Sequence, residues 1–463
     1  MFDFEDKKVL IAGLGVSGKA VLEVLSKTDA IISVYDEKDI EWNDPRLYKK
    51  LEITDIPAYL NGIEVPDLDW DYIIMSPGIP MNSEFVIYSM KHNTKIIGEL
   101  EFAYEMGKSR FVAITGTNGK TTTTTLVGEM YKNGNVKTIV GGNIGSPATS
   151  FISESDDDTV FVTEVSSFQL ESIDKFKPYI SAILNLTPDH MDRHKTMEKY
   201  GEAKARIFEN QDMDDYLIYN CDDESVSSGL IEPAKTNKIP FSRKKELKTG
   251  AYVKDDKIVI GDLDGKVTEI AGIYELIIPG KHNLENALAA SAIAYFGGID
   301  VEAISKTLRE FKGVSHRLEL ITTFNGIKFV NDSKGTNPDA SMKAIDAVGH
   351  DIFLIVGGYD KYKDENKIRE AFGEFIGSFK GRVKHLLLIG ETAEIIKDIS
   401  ESAGFTDVTV CESMNDCVRQ ANVFAKEGDT VLLSPASASW DMYKNFEERG
   451  DHFRKAVEEI IQS

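Results

Sequence analysis

The sequence predicts an α/β protein of three domains. Three features carry that prediction: short continuous apolar runs ending in glycine or in a polar turn, amphipathic segments between them, and two restarts of this pattern along 463 residues. KKVLIAGLG (7–15), the amphipathic SGKAVLEVLSK and AIISVYD form a βαβ unit. DYIIMSPGIP (71–80) adds a strand, and IIGELEFAYEMG (96–107) leads out of this first domain. FVAITG, TIVGGNIG, TVFVTEVSS and ISAILNLT then read as buried strands of a larger, parallel sheet. KHNLENALAASAIAYFGG (281–298) closes that domain with an alanine-rich helix and two glycines suited to a left-handed cap. IKFVNDSKG, DIFLIVGG, KHLLLIG, TDVTVCE and TVLLSP start the pattern again. The expected boundaries are 1–100, 101–313 and 314–463.

Composition narrows the function classes. A formal charge of -23 disfavours a nucleic-acid partner, whose binding needs clustered Lys and Arg. Cys221, Cys411 and Cys417 form no CxxC pair, so neither a zinc site nor a disulfide framework is expected, and the compartment reads as reducing. MFDFEDKKVLIAGLG lacks a basic segment and cleavage site, and no apolar run reaches the ~18 residues that span a bilayer. A cytoplasmic chain without membrane insertion is therefore expected.

Two glycine loops carry the chemistry. AITGTNGKTTTTT (113–125) is a strand, a turn and a helix start, where backbone N–H groups face an anion, Lys120 adds a point charge and Thr121 can ligate Mg²⁺. The usual GxxxxGK[ST] spacing would put glycine at Ile114; here the leading glycine is Gly116. Five consecutive threonines are poor helix formers, so phosphate or tertiary contacts must hold that turn. GLGVSG (13–18), with Asp36 ending the next strand, approaches the dinucleotide fingerprint and admits an NAD-dependent dehydrogenase as a rival. A second, triphosphate-type loop argues against hydride transfer and for two phosphorylated ligands, one of them ATP.

Among other candidates, Glu164 ends a sheet strand, where a carboxylate can meet Mg²⁺. TPDHMDRH (187–194) packs Asp189, His190, Asp192 and His194 together. Alternating charges in a turn are more often solvated than zinc-binding, and His190 is the one expected to face the nucleotide. Residue type alone does not single out Lys204, on a predicted helix. Asp332, Ser333, Lys334 and Thr336 in FVNDSKGTNPDAS group as if around a polar ligand. Trp440, Tyr443 and Phe446 in LLSPASASWDMYKNFEERGDHF are spaced as a helical stripe, which usually means core.

Taken in order, GTNGKTT, EVSSFQLE, LNLTPDHMDRH, AKARI, GKHNLENALAA, HRLE, NDSKGTNPDA and SPASASWDMYKNFEERG resemble the Mur ligases over nearly the whole chain. The short P-loop is that family's own form. GLGVSG, SPGIP, DSKGTNP and SPASAS with NFEERG resemble the branch that joins D-glutamate to UDP-N-acetylmuramoyl-L-alanine in peptidoglycan precursor synthesis.

The resemblance implies a Rossmann-like first domain without NAD, a central P-loop ATP-binding domain and a Rossmann-like third domain that brings the amino acid. It implies ATP contacts from Gly116, Thr117, Asn118, Gly119, Lys120, Thr121, Thr122, Asn283, Asn286, Arg317, Asp332 and Lys334. Two Mg²⁺ would involve Thr121, Glu164, His190 and a carbamoylated Lys204, with Lys120, Glu164, His190 and Lys204 as the catalytic set. The UDP-sugar substrate would meet Gly13, Leu14, Gly15, Val16, Ser17, Asp36, Gly78, Asn143 and His190. D-Glutamate would meet Thr336, Lys361, Ser439 and Phe446, with Lys363 competing with Lys361 for its role. A monomer is expected. A folylpolyglutamate synthetase shares the second and third domains but has no need of GLGVSG and SPGIP. An ATP-driven interaction module would hydrolyse ATP and ignore amino acids.

Overall fold

The structure, a computed structural model, describes residues 4–36, 58–59, 70–92, 94–278, 280–360 and 364–462. Lys361 and Lys363 lie outside the described residues. The chain divides into two compact units, the first running to Phe311 and the second starting at Lys312. Among the described residues, no helix is long and apolar enough to cross a membrane.

The first unit contains two sheets. Strands β1 (Lys8–Ala12), β2 (Ile31–Tyr35), β3 (Ala58–Tyr59), β4 (Tyr72–Met75) and β5 (Lys95–Gly98) lie in the order β3-β2-β1-β4-β5, all parallel. β1 sits between strands reached in opposite directions, so a crevice opens at the carboxyl ends of β1 and β4. Gly13 occupies that point. Its φ of +85° suits glycine, and an added Cβ would lie 2.8 Å from Ser76 Cβ.

The second sheet comprises β6 (Arg110–Thr115), β7 (Thr138–Gly142), β8 (Val160–Glu164), β9 (Ile180–Ile183), β10 (Tyr216–Asn220), β11 (Asn237–Ser242), β12 (Gly250–Lys254), β13 (Lys257–Gly261) and β14 (Val267–Gly272). Its order is β14-β13-β12-β11-β10-β9-β6-β8-β7. β6, β8 and β9 are buried almost throughout, because helices must cover both faces of a parallel sheet. The expectation of a parallel sheet holds from β7 to β12 and fails beyond it. β12 and β13 pair antiparallel through a two-residue hairpin in which Asp255 and Asp256 both adopt positive φ, and β13 and β14 pair antiparallel across the turn at 262–266. The helix Lys281–Phe296 is followed by Gly297 and by Gly298 at φ +85°, the expected left-handed cap.

The second unit has one sheet: β15 (Glu319–Phe324), β16 (Ile327–Asn331), β17 (Ile352–Val356), β18 (Val383–Leu388), β19 (Val408–Val410) and β20 (Thr430–Leu433), in the order β15-β16-β20-β17-β18-β19. Only β15 is antiparallel, joined to β16 through Asn325 and Gly326, both at positive φ. Ile352–Val356 is fully buried, with apolar clusters on both faces of the sheet. The expected aromatic stripe differs from the structure. The last helix begins at Phe446, so Trp440 and Tyr443 lie in the preceding turn, and Trp440 is 63% exposed.

Candidate active site

β6 lies between β8 and β9, and the P-loop leaves its carboxyl end at this switch point. Gly116 has φ +152°, and Gly119 has φ +83° as the residue before the helix Lys120–Asn133. Gly119 has no side chain to cap that helix, and a helix start directs its first N–H groups toward an anion. Lys120 Nζ reaches back to the carbonyls of Gly116 and Thr117, each at 2.9 Å.

Tertiary contacts hold the threonine run in a helix although each Thr costs roughly 0.6 kcal/mol relative to Ala. Thr121 Oγ1 donates to Glu164 Oε2 at 2.8 Å, Thr123 and Thr124 are fully buried, and Thr125 Oγ1 donates to the Thr121 carbonyl. Thr122 is partly exposed beside them. Glu164 is 3% exposed, and its other oxygen accepts from Asn143 Nδ2 at 2.8 Å. A hydroxyl and a carboxylate side by side form an oxygen donor set of the kind Mg²⁺ takes.

Lys204, which residue type alone did not distinguish, is 1% exposed on the helix Met197–Ala205. Its Nζ donates to the Gly116 carbonyl at 2.9 Å and lies 4.6 Å from the centre of the Tyr200 ring. Burial first, then the charge of Lys120, pull its pKa down to about 7. As an ammonium it would repel a cation; as a neutral amine it can take up CO2 and become an oxygen donor.

Asn286 is buried against the loop, where a Cβ on Gly119 would come within 2.2 Å of its Oδ1, and it donates to Asn283 Oδ1 at 3.2 Å. The other wall of the loop was not foreseen. Asn118 N donates to Asn185 Oδ1 at 2.8 Å, and Asn185 Nδ2 returns a bond to the Asn118 carbonyl at 3.0 Å. Thr117 Oγ1 accepts from Thr187 N at 3.0 Å and lies 3.3 Å from the Tyr200 hydroxyl. Asn185 and Thr187 stand in the LNLT run, where the polar pair directly after an apolar strand was the available signal.

The TPDHMDRH segment separates its side chains. His190, at φ +53°, is exposed, with Nε2 3.6 Å from Asp189 Oδ2 and its ring against Phe168. His194 turns inward, stacks on Phe168 and meets Ser167 Oγ at 2.9 Å, and burial lowers its pKa. Among the described residues, no group of three or more His, Cys, Asp and Glu side chains is arranged to hold a metal ion. Arg193, also unforeseen, covers Phe168 at 4.0 Å, pairs with Glu171 and donates to the Pro77 carbonyl at 2.9 Å. It thereby ties this segment to the turn holding Gly78, which is itself exposed.

At the first loop Asp36 Oδ2 accepts from Leu14 N at 2.7 Å, and Ser76 Oγ donates to the Gly13 carbonyl at 2.8 Å. Gly15 and Val16 are exposed, and Ser17 is partly so, at the start of the helix Val16–Leu25.

In the second unit, polar turns leave the carboxyl ends of β16, β17 and β20. Asp332 Oδ2 accepts from Ser434 Oγ at 2.7 Å and Oδ1 from Leu318 N at 3.2 Å. Burial raises its pKa to about 6. Lys334 Nζ lies 5.8 Å from the Phe446 ring, Arg317 is exposed and Ser439 is 2% exposed. Thr336 lines a cavity of about 210 Å³ with Tyr359, Asp360, Thr392 and Ser437.

Comparison with known proteins agrees along the whole chain. Residues 7–98 match the Mur ligase MurD-like N-terminal domain, 114–294 the Mur ligase middle domain and 316–437 the Mur ligase glutamate ligase domain. The UDP-N-acetylmuramoylalanine--D-glutamate ligase of Thermoanaerobacter sp. (strain X514) is 48% identical over 461 residues, 99% of each chain. The protein of the same name from Clostridioides difficile (strain 630) is 44% identical over 99% of this chain and 100% of its own. Among solved structures, the UDP-N-acetylmuramate-alanine ligase of Thermotoga maritima superposes with a TM-score of 0.54 at 20% identity, over 98% of this chain and 99% of that one. The MurF ligase of Thermotoga maritima in complex with ADP gives 0.53 at 16% identity, over 99% and 96%. These structural likenesses speak for the fold.

Proposed function

The chain belongs to the Mur ligase family, and we propose that it joins D-glutamate to UDP-N-acetylmuramoyl-L-alanine at the expense of ATP, as a cytoplasmic monomer in peptidoglycan precursor synthesis. Full-length relatives bearing that name support the choice of substrates. One observation carries the chemistry: Lys120, the Thr121–Glu164 pair, Lys204 and Asn286 all gather at the Gly116–Gly119 turn and the helix start that follows it. The hydride-transfer alternative for the first loop falls with the family.

In the proposed reaction an oxygen of the alanyl carboxylate attacks the γ-phosphorus of ATP and ADP leaves. The neutral amine of D-glutamate then attacks the acyl phosphate carbon, phosphate departs, and the nitrogen loses its proton as the amide forms. Negative charge accumulates on phosphoryl oxygens in both steps, so the chain's contribution is alignment and electrostatic stabilisation by Lys120 and the helix N–H groups. Mg²⁺ would be held by Thr121 and Glu164, and by Lys204 as its carbamate, and would supply further charge neutralisation there. His190 offers a nitrogen, an unusual donor for that ion.

Asn283 and Asn286 are assigned to the adenine side, and Arg317, Asp332 and Lys334 to the nucleotide. The turns around Gly13 and Gly78, with Asp36 and Asn143, are assigned to the sugar nucleotide. Thr336, Ser439 and Phe446 are assigned to D-glutamate, together with Lys361 or Lys363. The test is phosphate release from ATP with UDP-N-acetylmuramoyl-L-alanine present, with and without D-glutamate. Release that requires both is expected; release indifferent to both refutes the ligase reading.

A further inference from the structure

Arg449 is among the largest fully buried side chains of the molecule, at 2% exposure, and takes no part in the chemistry above. It lies in the first turn of the helix Phe446–Gln462. Nε donates to Ser333 Oγ at 3.0 Å and Nη2 to the Ser333 carbonyl at 2.9 Å; Nη1 donates to the carbonyls of Ser437 and Ala438, each at 3.1 Å. None of these acceptors is a carboxylate. A buried guanidinium without a carboxylate contact is a costly way to gain stability, which an apolar side chain of similar volume would supply more cheaply.

Its donors do something an apolar side chain cannot: they set distances between chain segments. Ser333 belongs to the turn after β16 that carries Thr336, and Ser437 and Ala438 to the turn after β20 that carries Ser439. Arg449 itself stands three residues beyond Phe446. Ser333 Oγ completes the frame by donating to the Phe446 carbonyl at 2.8 Å. Gly358, after β17, presses on the same point. The Ala438 carbonyl also accepts from Tyr359 N at 3.0 Å, and a Cβ on Gly358 would lie 2.2 Å from that carbonyl oxygen and 3.2 Å from Nη1.

We infer that Arg449 is a positioning residue for the amino-acid substrate, holding Thr336, Ser439 and Phe446 at their mutual spacing through its bonds to the turns after β16 and β20 and its place in the helix that Phe446 begins. The inference rests on the assignment of those residues to D-glutamate made above. A site misplaced by about 1 Å costs on the order of 10²-fold.

In the full-length protein, Arg449→Met should raise the KM for D-glutamate by about 10- to 100-fold while the KM for the sugar nucleotide changes less than about twofold. Arg449→Lys, which keeps the charge and some donors, should fall between. Ser333→Ala, which removes one acceptor and the bond to Phe446, should raise the same KM by less, and should add little in the Arg449→Lys background because both act through one network. Ser333→Ala and Arg449→Lys carry the test should Arg449→Met not fold. An unchanged D-glutamate KM, or equal rises in the KM of every substrate, overturns the positioning role. Wild-type protein whose phosphate release ignores D-glutamate overturns the functional reading and this inference with it.

Discussion

Asp332→Asn should make the protein more stable at neutral pH, although the residue is assigned to the nucleotide site. The carboxyl is buried, and its rise from an ordinary 3.8 to about 6 corresponds to about 3 kcal/mol at about 1.4 kcal/mol per pH unit. The sign follows from linkage. Above pH 6 the folded state bears the full cost of the charge. Below 3.8 both states are protonated and the cost vanishes, so wild-type stability falls as pH climbs from about 4 to 6.

The amide removes this dependence and can keep the local network. Its oxygen accepts from Leu318 N, and its nitrogen donates to Ser434 Oγ, whose proton turns to Ser341 Oγ at 2.8 Å. The rise to about 6 already includes what those two bonds give the charged form, so the net gain is about 3 kcal/mol at pH 7.5 and about 1 kcal/mol at pH 4.5. Urea unfolding of both chains at the two pH values measures this, with hydrogen exchange across residues 312–462 identifying the transition that moves. An asparagine variant less stable at pH 7.5, or a difference equal at both pH values, refutes the reasoning.

Lys120→Ala should cost at least ~10²-fold in turnover, the typical loss when a contact to a transferring phosphoryl group disappears; near-normal phosphate release would remove the P-loop assignment. Gly119→Ala combines a φ of +83° with a Cβ 2.2 Å from Asn286 Oδ1, so adenine-nucleotide affinity should drop at least ~10-fold by calorimetry. Unaltered affinity would dissociate the turn from the nucleotide. Arg193→Met breaks a largely buried ion pair with Glu171 and the bond to Pro77, and should destabilise the first unit by about 3 kcal/mol. Its KM effect should fall on the sugar nucleotide more than on ATP, and the opposite ranking would count against a role for the Gly78 turn.

Much of this molecule was readable in one dimension because its signals are local. Strand, glycine turn and helix start are contiguous at Gly13 and at Gly116, so the backbone geometry that receives an anion follows from a dozen residues. Glu164 could be chosen because strand ends in a parallel sheet collect functional groups. The β12–β13 and β15–β16 hairpins escaped notice although their turn residues, Asp255–Asp256 and Asn325–Gly326, announce them; the buried runs of the parallel strands dominate any reading by hydrophobicity. What only the tertiary structure decided is which polar side chains lose water. Lys204 on its helix resembles any surface lysine until folding packs it against Tyr200 and the Gly116 carbonyl, and burial beside Lys120 brings its amine near neutrality. Arg449 and Asp332 become distinctive in the same way, since desolvation is set by chain segments a hundred residues apart and leaves no trace in residue type.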